Sequence, residues 1–283
     1  MIFLLLSILS STGIFVLFKL FSKYKINTLQ AIVVNYVTAF TIGMLLYNGQ
    51  ITPIEIVNAD WFFAAFGLGF LFIAIFNVMA LTAQKNGLSV ASVASKMSVI
   101  IPILFGIYVY NESVGFLKIS GIILALIAVY LTSVKPKDTT NLTKSIYLPV
   151  LLFIGSGIID TTANHFAPKD YMPLFLASIF GIASIIGFII LSYKSIKTKT
   201  HFKLKSVPFG IALGIVNYSS MYFLLKALRV DGFETSSIFT INNVAIVAIS
   251  TLIGLLLFKE QVSMKNWIGI FIAIISIILV TLT

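Results

Sequence analysis

Residues 86–133 read NGLSVASVASKMSVIIPILFGIYVYNESVGFLKISGIILALIAVYLTS, and residues 231–283 read DGFETSSIFTINNVAIVAISTLIGLLLFKEQVSMKNWIGIFIAIISIILVTLT. The two stretches share a frame. Gly87 and Ser92 meet Gly232 and Ser237 at an offset of 145, while Glu112 and Gly121 meet Glu260 and Gly269 at 148, so the second copy carries three extra residues. The repeating unit is thus half the chain, and the spacing divides it into residues 1–138 and 139–283. Working outward, apolar runs bounded by charge, Gly/Pro or Asn/Asp clusters predict helices at about 2–21, 28–47, 61–84, 88–110, 114–133, 145–164, 172–193, 206–228, 233–257 and 265–282.

Composition sets the solvent for these segments. The 283 residues are 59% hydrophobic and 10% charged, against roughly 45–50% apolar and 25% charged in an ordinary soluble domain. A water-soluble fold needs more polar surface than that, and disorder needs the opposite balance. A spanning helix uses about 20 apolar residues at ~1.5 Å each, so ten fit the length. Gly269 to Leu282 is apolar on every side, which excludes the alternating pattern of a barrel strand. Helices and closed barrels are the two ways to satisfy the backbone in lipid. The expected fold is an all-α membrane protein with ten transmembrane helices.

The charges indicate orientation. The net charge of +10 suggests nucleic acid in a soluble protein, but the basic residues fall between apolar segments, and no nucleic-acid partner is expected. Fourteen Lys residues lie in the odd-numbered loops, and three basic residues, Lys169, Lys226 and Arg229, in the even ones. The positive-inside rule then places the odd loops in the cytoplasm of a multi-pass plasma or inner-membrane protein, with both termini outside. The first segment lacks a basic n-region and is expected to stay as a helix rather than be cleaved. The short tails are expected to carry no soluble domain. Zero cysteines exclude disulfides and thiol catalysis.

An odd number of helices per half makes the second copy enter the membrane upside down. Two inverted five-helix repeats, related by a pseudo-two-fold axis in the membrane plane, are a mark of secondary transporters with a midplane site between halves. Each half has a Gly-containing turn into a helix that ends at a Glu turn, Pro102 to Asn111-Glu112-Ser113 and Val247 to Lys259-Glu260-Gln261, followed by a Gly-bearing apolar helix. In this the chain resembles the EamA-type drug/metabolite transporter superfamily. The resemblance implies a central cavity lined by the third, fourth, sixth, eighth and ninth helices. The chain departs from it in two places. The family is pictured with cytoplasmic termini, against the charge count here. Pro102 has Val247 as its counterpart, so the halves are expected to bend differently.

Ionisable residues inside a membrane are costly and mark function. Lys96 lies about nine residues into the fourth helix, and Asp160 about fifteen into the sixth, so their heights differ by roughly 9 Å. They read as a cavity carboxylate for a substrate ammonium or a proton and a cation for a substrate carboxylate, or as a structural ion pair. Lys96-Met97-Ser98 corresponds to Ile241-Asn242-Asn243, which places Asn242 and Asn243 at facing positions near the midplane. Asn35, Asn77, Asn217 and Tyr218 are further candidate substrate-binding residues, with helix bridging as the plainer reading. Glu112 and Glu260 read as structural turns whose carboxylates favour the start of the following helices. Gly210 and Gly214 form a small-residue packing face.

No cofactor and no metal are expected, since His165 and His201 make no ligand spacing. The absence of H-E-x-x-H, G-x-S-x-G and Walker sequences weighs against an enzyme or an ATP-driven pump. The expected function is a secondary transporter, an exporter of a small polar or amphipathic metabolite such as an amino acid. Proton coupling through Asp160 is part of that expectation, as is a monomer or homodimer in the lipid bilayer. The alternatives are a structural or lipid-scrambling membrane protein and, less well supported, an intramembrane enzyme.

Overall fold

The computed structural model describes residues 2–47, 49, 53–109, 115–133, 142–168, 171–198, 201–227 and 235–281, and these form helices joined by turns. In order they are α1 (Ile2–Lys23), α2 (Thr28–Leu46), the short α3 (Pro53–Val57), α4 (Phe62–Lys85), α5 (Leu88–Met97), α6 (Ile100–Val109), α7 (Phe116–Ser133), α8 (Leu142–Phe166), α9 (Met172–Thr198), α10 (Ser206–Ala227), α11 (Thr235–Phe258) and α12 (Met264–Thr281). Eight apolar stretches are long enough to cross a membrane, with α5 and α6 counted as one run; Ile119–Thr132 and Met264–Leu279 are shorter apolar helices. Large side chains such as Leu45, Phe63, Phe116, Ile185 and Leu256 face outward, as lipid permits.

Local chemistry starts and stops these helices. The Asn27 side chain accepts the Gln30 amide and caps α2. The predicted fourth helix is broken at Ser98-Val99. Pro102 has no N–H to offer the Ser98 carbonyl, and the Ile101 amide takes that carbonyl instead at 2.9 Å. The tighter bond ends α5 at Met97, five residues before the proline. Val247, its counterpart, keeps its amide, and α11 runs unbroken.

Packing depends on small residues, because lipid gives helices no hydrophobic reason to associate. Gly210 and Gly214 of α10 lie against Val34 and Thr38 of α2, so closely that a Cβ on either would overlap the α2 backbone oxygens at 2.7 Å. Gly43 and Gly181 do the same between α2 and α9, and Gly69 between α4 and α9. Helices α1, α2, α4, α9 and α10 share the larger core, rich in Phe18, Phe21, Phe72, Phe76 and Phe180. Helices α5, α7, α11 and α12 share a smaller aliphatic one around Val93, Met97, Val247 and Ile277. Helices α7 and α12 run antiparallel: Asn266 donates to the Leu131 and Thr132 carbonyls, and Ser276 donates to Gly121 at the other end.

Glu260 corrects one expectation. Its carboxylate does not start α12, where Ser263 and Asn266 form the local cap. It reaches α5, accepting the Leu88 amide at 2.8 and 3.0 Å, and pairs with Lys19 of α1 at 2.7 Å. The chemistry, a carboxylate at the positive end of a helix, is as expected; the helix is a different one. Glu112 lies outside the described residues.

Candidate functional site

The break between α5 and α6 positions the first set of polar groups. Lys96 sits one residue before the end of α5 and is half-buried. Opposite it runs α8, brought close by its small residues: the Ser95 and Ser156 hydroxyls meet at 3.5 Å, and a Cβ on Gly157 would overlap Ile101. Asp160 lies one turn beyond Ser156 on the same face of α8. The outward residues of α8 are Leu151 and Ile158; Asp160 follows Leu151 by nine residues, which is half a turn around the helix. It therefore points into the bundle.

Asp160 is nonetheless exposed. Asn164, four residues on and on the same face, is accessible too. Asp160 feels the charge of Lys96 and lies within hydrogen-bonding reach of Ser98. The Ser98 hydroxyl also reaches the Ser95 carbonyl, and its single proton serves one acceptor at a time. Lys96 and Asp160, both described, do not close to an ion pair within 4.0 Å. Two opposite charges thus stand on neighbouring helices with a gap between them.

The other expected residues form a second set. Asn217 of α10 donates to Asn35 of α2 at 3.2 Å, and Asn35 donates to the Ile32 carbonyl. The Ser7 hydroxyl of α1 reaches both the Ser220 carbonyl and Asn242 Oδ1 of α11, and Ser220 donates back to the Asn217 carbonyl. This buried chain joins α1, α2, α10 and α11. It leaves the Asn242 Nδ2 donor and the Tyr218 hydroxyl buried without a partner among the described residues. Such groups call for an explanation, and an absent water or ligand is one. Asn243 is buried beside Asn242, and α11 packs on α5 through Val247, Val93 and Met97. Asn77 donates to the Ile73 carbonyl of its own helix.

Reasoning from sequence missed Ser95, Ser156 and Ser7. A serine costs little in a helix, so composition gives no signal for it. Their spacing does give one: Ser92, Ser95 and Ser98 recur every three residues, a stripe on one helical face.

Comparison with known proteins fits this arrangement. A model of the EamA-like transporter family matches residues 1–134. That family lies within the drug/metabolite transporter superfamily, and residues 1–134 are similar to it. With its apolar helices, the chain is a multi-pass membrane protein. It is 28% identical over 284 residues to a protein of Haemophilus influenzae described only as uncharacterized, covering 97% of this chain and 95% of that one. A crystal structure at 13% identity has a TM-score of 0.59 over 98% of this chain and 97% of its own, and shares the fold.

Proposed function

We propose that the protein is a secondary transporter that exports a small zwitterionic or amphipathic metabolite, such as an amino acid, by alternating access between residues 1–138 and 139–283. The observation that carries this reading is the gap between the opposite charges of Lys96 and Asp160, both within apolar stretches long enough to span a membrane. A ligand carboxylate docks at Lys96 and an ammonium at Asp160, and each compensates a charge that is otherwise expensive at that depth. Asn242, Asn243 and Tyr218 add neutral donors from the opposite half, Asn35 and Asn217 hold together the helices that carry them, and Asn77 is a further candidate on α4.

The pattern of helix contacts supports ten spans in two inverted repeats. Packing of α1 on α10 is answered by α8 on α4, α2 on α10 by α9 on α4, and α1 on α11 by α8 on α5. The helices that face their own counterparts are α2 with α9, α5 with α11, and α7 with α12. A two-fold axis in the membrane plane produces this reciprocity. The 14-to-3 charge count supports external termini.

The test is a thermal-shift screen of the purified protein against a metabolite library rich in amino acids. A ligand present at a hundred times its Kd raises stability by about 2.7 kcal/mol. Hits carried into proteoliposomes are expected to be transported, with a pH dependence that Asp160→Asn abolishes. A hit that binds but does not cross favours the structural reading, and lipid movement without any hit favours a scramblase.

A further inference from the structure

Away from the Lys96–Asp160 gap, one end of the bundle carries a second built arrangement. Glu260 follows α11, at the end of the second half, yet its carboxylate is held by two elements of the first half, Lys19 on α1 and the leading amide of α5. Side-chain exposures of 21% for Lys19 and 11% for Glu260 put the pair largely out of water, where charges attract more strongly than at a free surface. The slot is shaped for it. A Cβ on Gly254 would stand 2.7 Å from Glu260 Oε2, and one on Gly87 3.0 Å from it. Gly87 also has φ at +112°, a conformation that side chains disfavour. The Glu260 amide donates to the Gly254 carbonyl, fixing the loop behind the carboxylate.

We propose that Lys19, Glu260 and the Leu88 amide form a latch that clamps the two halves together at this end and must release in each transport cycle. The inference rests on the transport reading above. Three observations carry it. First, among the described residues both polar partners of the carboxylate, Lys19 and the Leu88 amide, lie in the other half, so rocking the halves apart breaks both at once. Second, a cavity of about 260 Å³ lies against the latch, lined by Lys19, Ser89, Glu260 and Asn266. Ser89, one residue past the clamped amide, is buried with its hydroxyl unpartnered among the described residues, a donor that rearrangement or hydration of this end would satisfy. Third, the two ends differ. The α5–α6 run leads from Leu88 past Lys96 to Phe105, which meets His165 at 5.5 Å. There Asp160 and Asn164 are exposed, and Asn164, 145 residues after Lys19, brings no ammonium. One end is joined across the halves by a charge pair, and the position that answers Lys19 at the other is a neutral amide.

The chain has no cysteine, so single-cysteine reporters read this without background. Ser89→Cys reports the latch end and Asn164→Cys the opposite end, each labelled with a hydrophilic maleimide in nanodiscs that leave both faces accessible. In Lys19→Met, which keeps Glu260 on the Leu88 amide and so keeps α5 capped, labelling at position 89 is expected to rise about tenfold and labelling at 164 to fall. A tenfold population change is the scale of one lost charge contact. Glu260→Gln, monodisperse on gel filtration, is expected to do the same more strongly. A rise at 89 with 164 unchanged would mean local fraying and would overturn the latch, as would no change at either position. Because labelling needs no ligand, reciprocal labelling beside a metabolite screen without hits keeps the rocking of the two halves and withdraws only the metabolite class proposed above.

Discussion

The α5–α6 run and α11 share a sequence frame at an offset of 145, yet one is broken and charged while the other is continuous and neutral. In the first half Pro102 withdraws an amide, α5 stops at Met97, and Lys96 sits at the break with Ser98 beside Asp160. In the second half Val247 keeps the ladder intact, and Asn242-Asn243 occupy the corresponding turn, fully buried. The difference teaches a division of labour. A broken helix can carry a charge because its loosened turn admits water and neighbouring hydroxyls. A continuous helix packed at the centre carries amides, which need fewer partners.

This comparison breaks most sharply with Val247→Pro. Giving α11 the proline of its counterpart costs about 3 kcal/mol if the second half relies on an unbroken helix, and thermal unfolding of the purified protein reads it. An unchanged melting temperature would show that α11 tolerates the same bend. Next comes Lys96→Met, expected to weaken an identified zwitterionic ligand by 1.5–3 kcal/mol, about ten- to a hundredfold, the range for a hydrogen bond to a charged group. Combining it with Ile241→Lys sharpens the point: the lysine moved to the second half is not expected to restore binding, since no Asp160 faces it there, and recovery would make the two sites equivalent. Smallest is Asn242→Ala. Losing the Ser7 contact costs about 0.6 kcal/mol of stability, with a few-fold loss of ligand affinity if its spare Nδ2 donor serves the ligand.

The helical segments were legible in the sequence because lipid makes every turn of a spanning helix apolar; Lys96 and Asp160 stood out because an ionisable group at that depth is costly. Pro102 foretold a bend, though not that it falls at Ser98, which follows from where the missing amide was needed. Other features stayed hidden. Nothing about Asn35 and Asn217 says that they bond to one another, since an amide at membrane depth reads alike whether it faces a helix or a cavity. Lys19 looked like one more topology charge at a helix end. Glu260 read as the start of the helix beside it, because proximity along the chain is visible in a sequence and proximity in space is not.

The reach of Glu260 also constrains how the protein is made. The amide that opens α5 finds its acceptor 172 residues later in the chain, and until then it lies at a membrane helix start with a glycine before it and no side-chain cap. During synthesis the first half leaves the ribosome with this junction unfinished, and Lys19 lacks its counter-charge for the same interval. Final assembly therefore waits for α11 to insert. A chain truncated before residue 260 is expected to keep its helices but to leave α5 mis-seated, a target for membrane quality control even though every span of the first half is present.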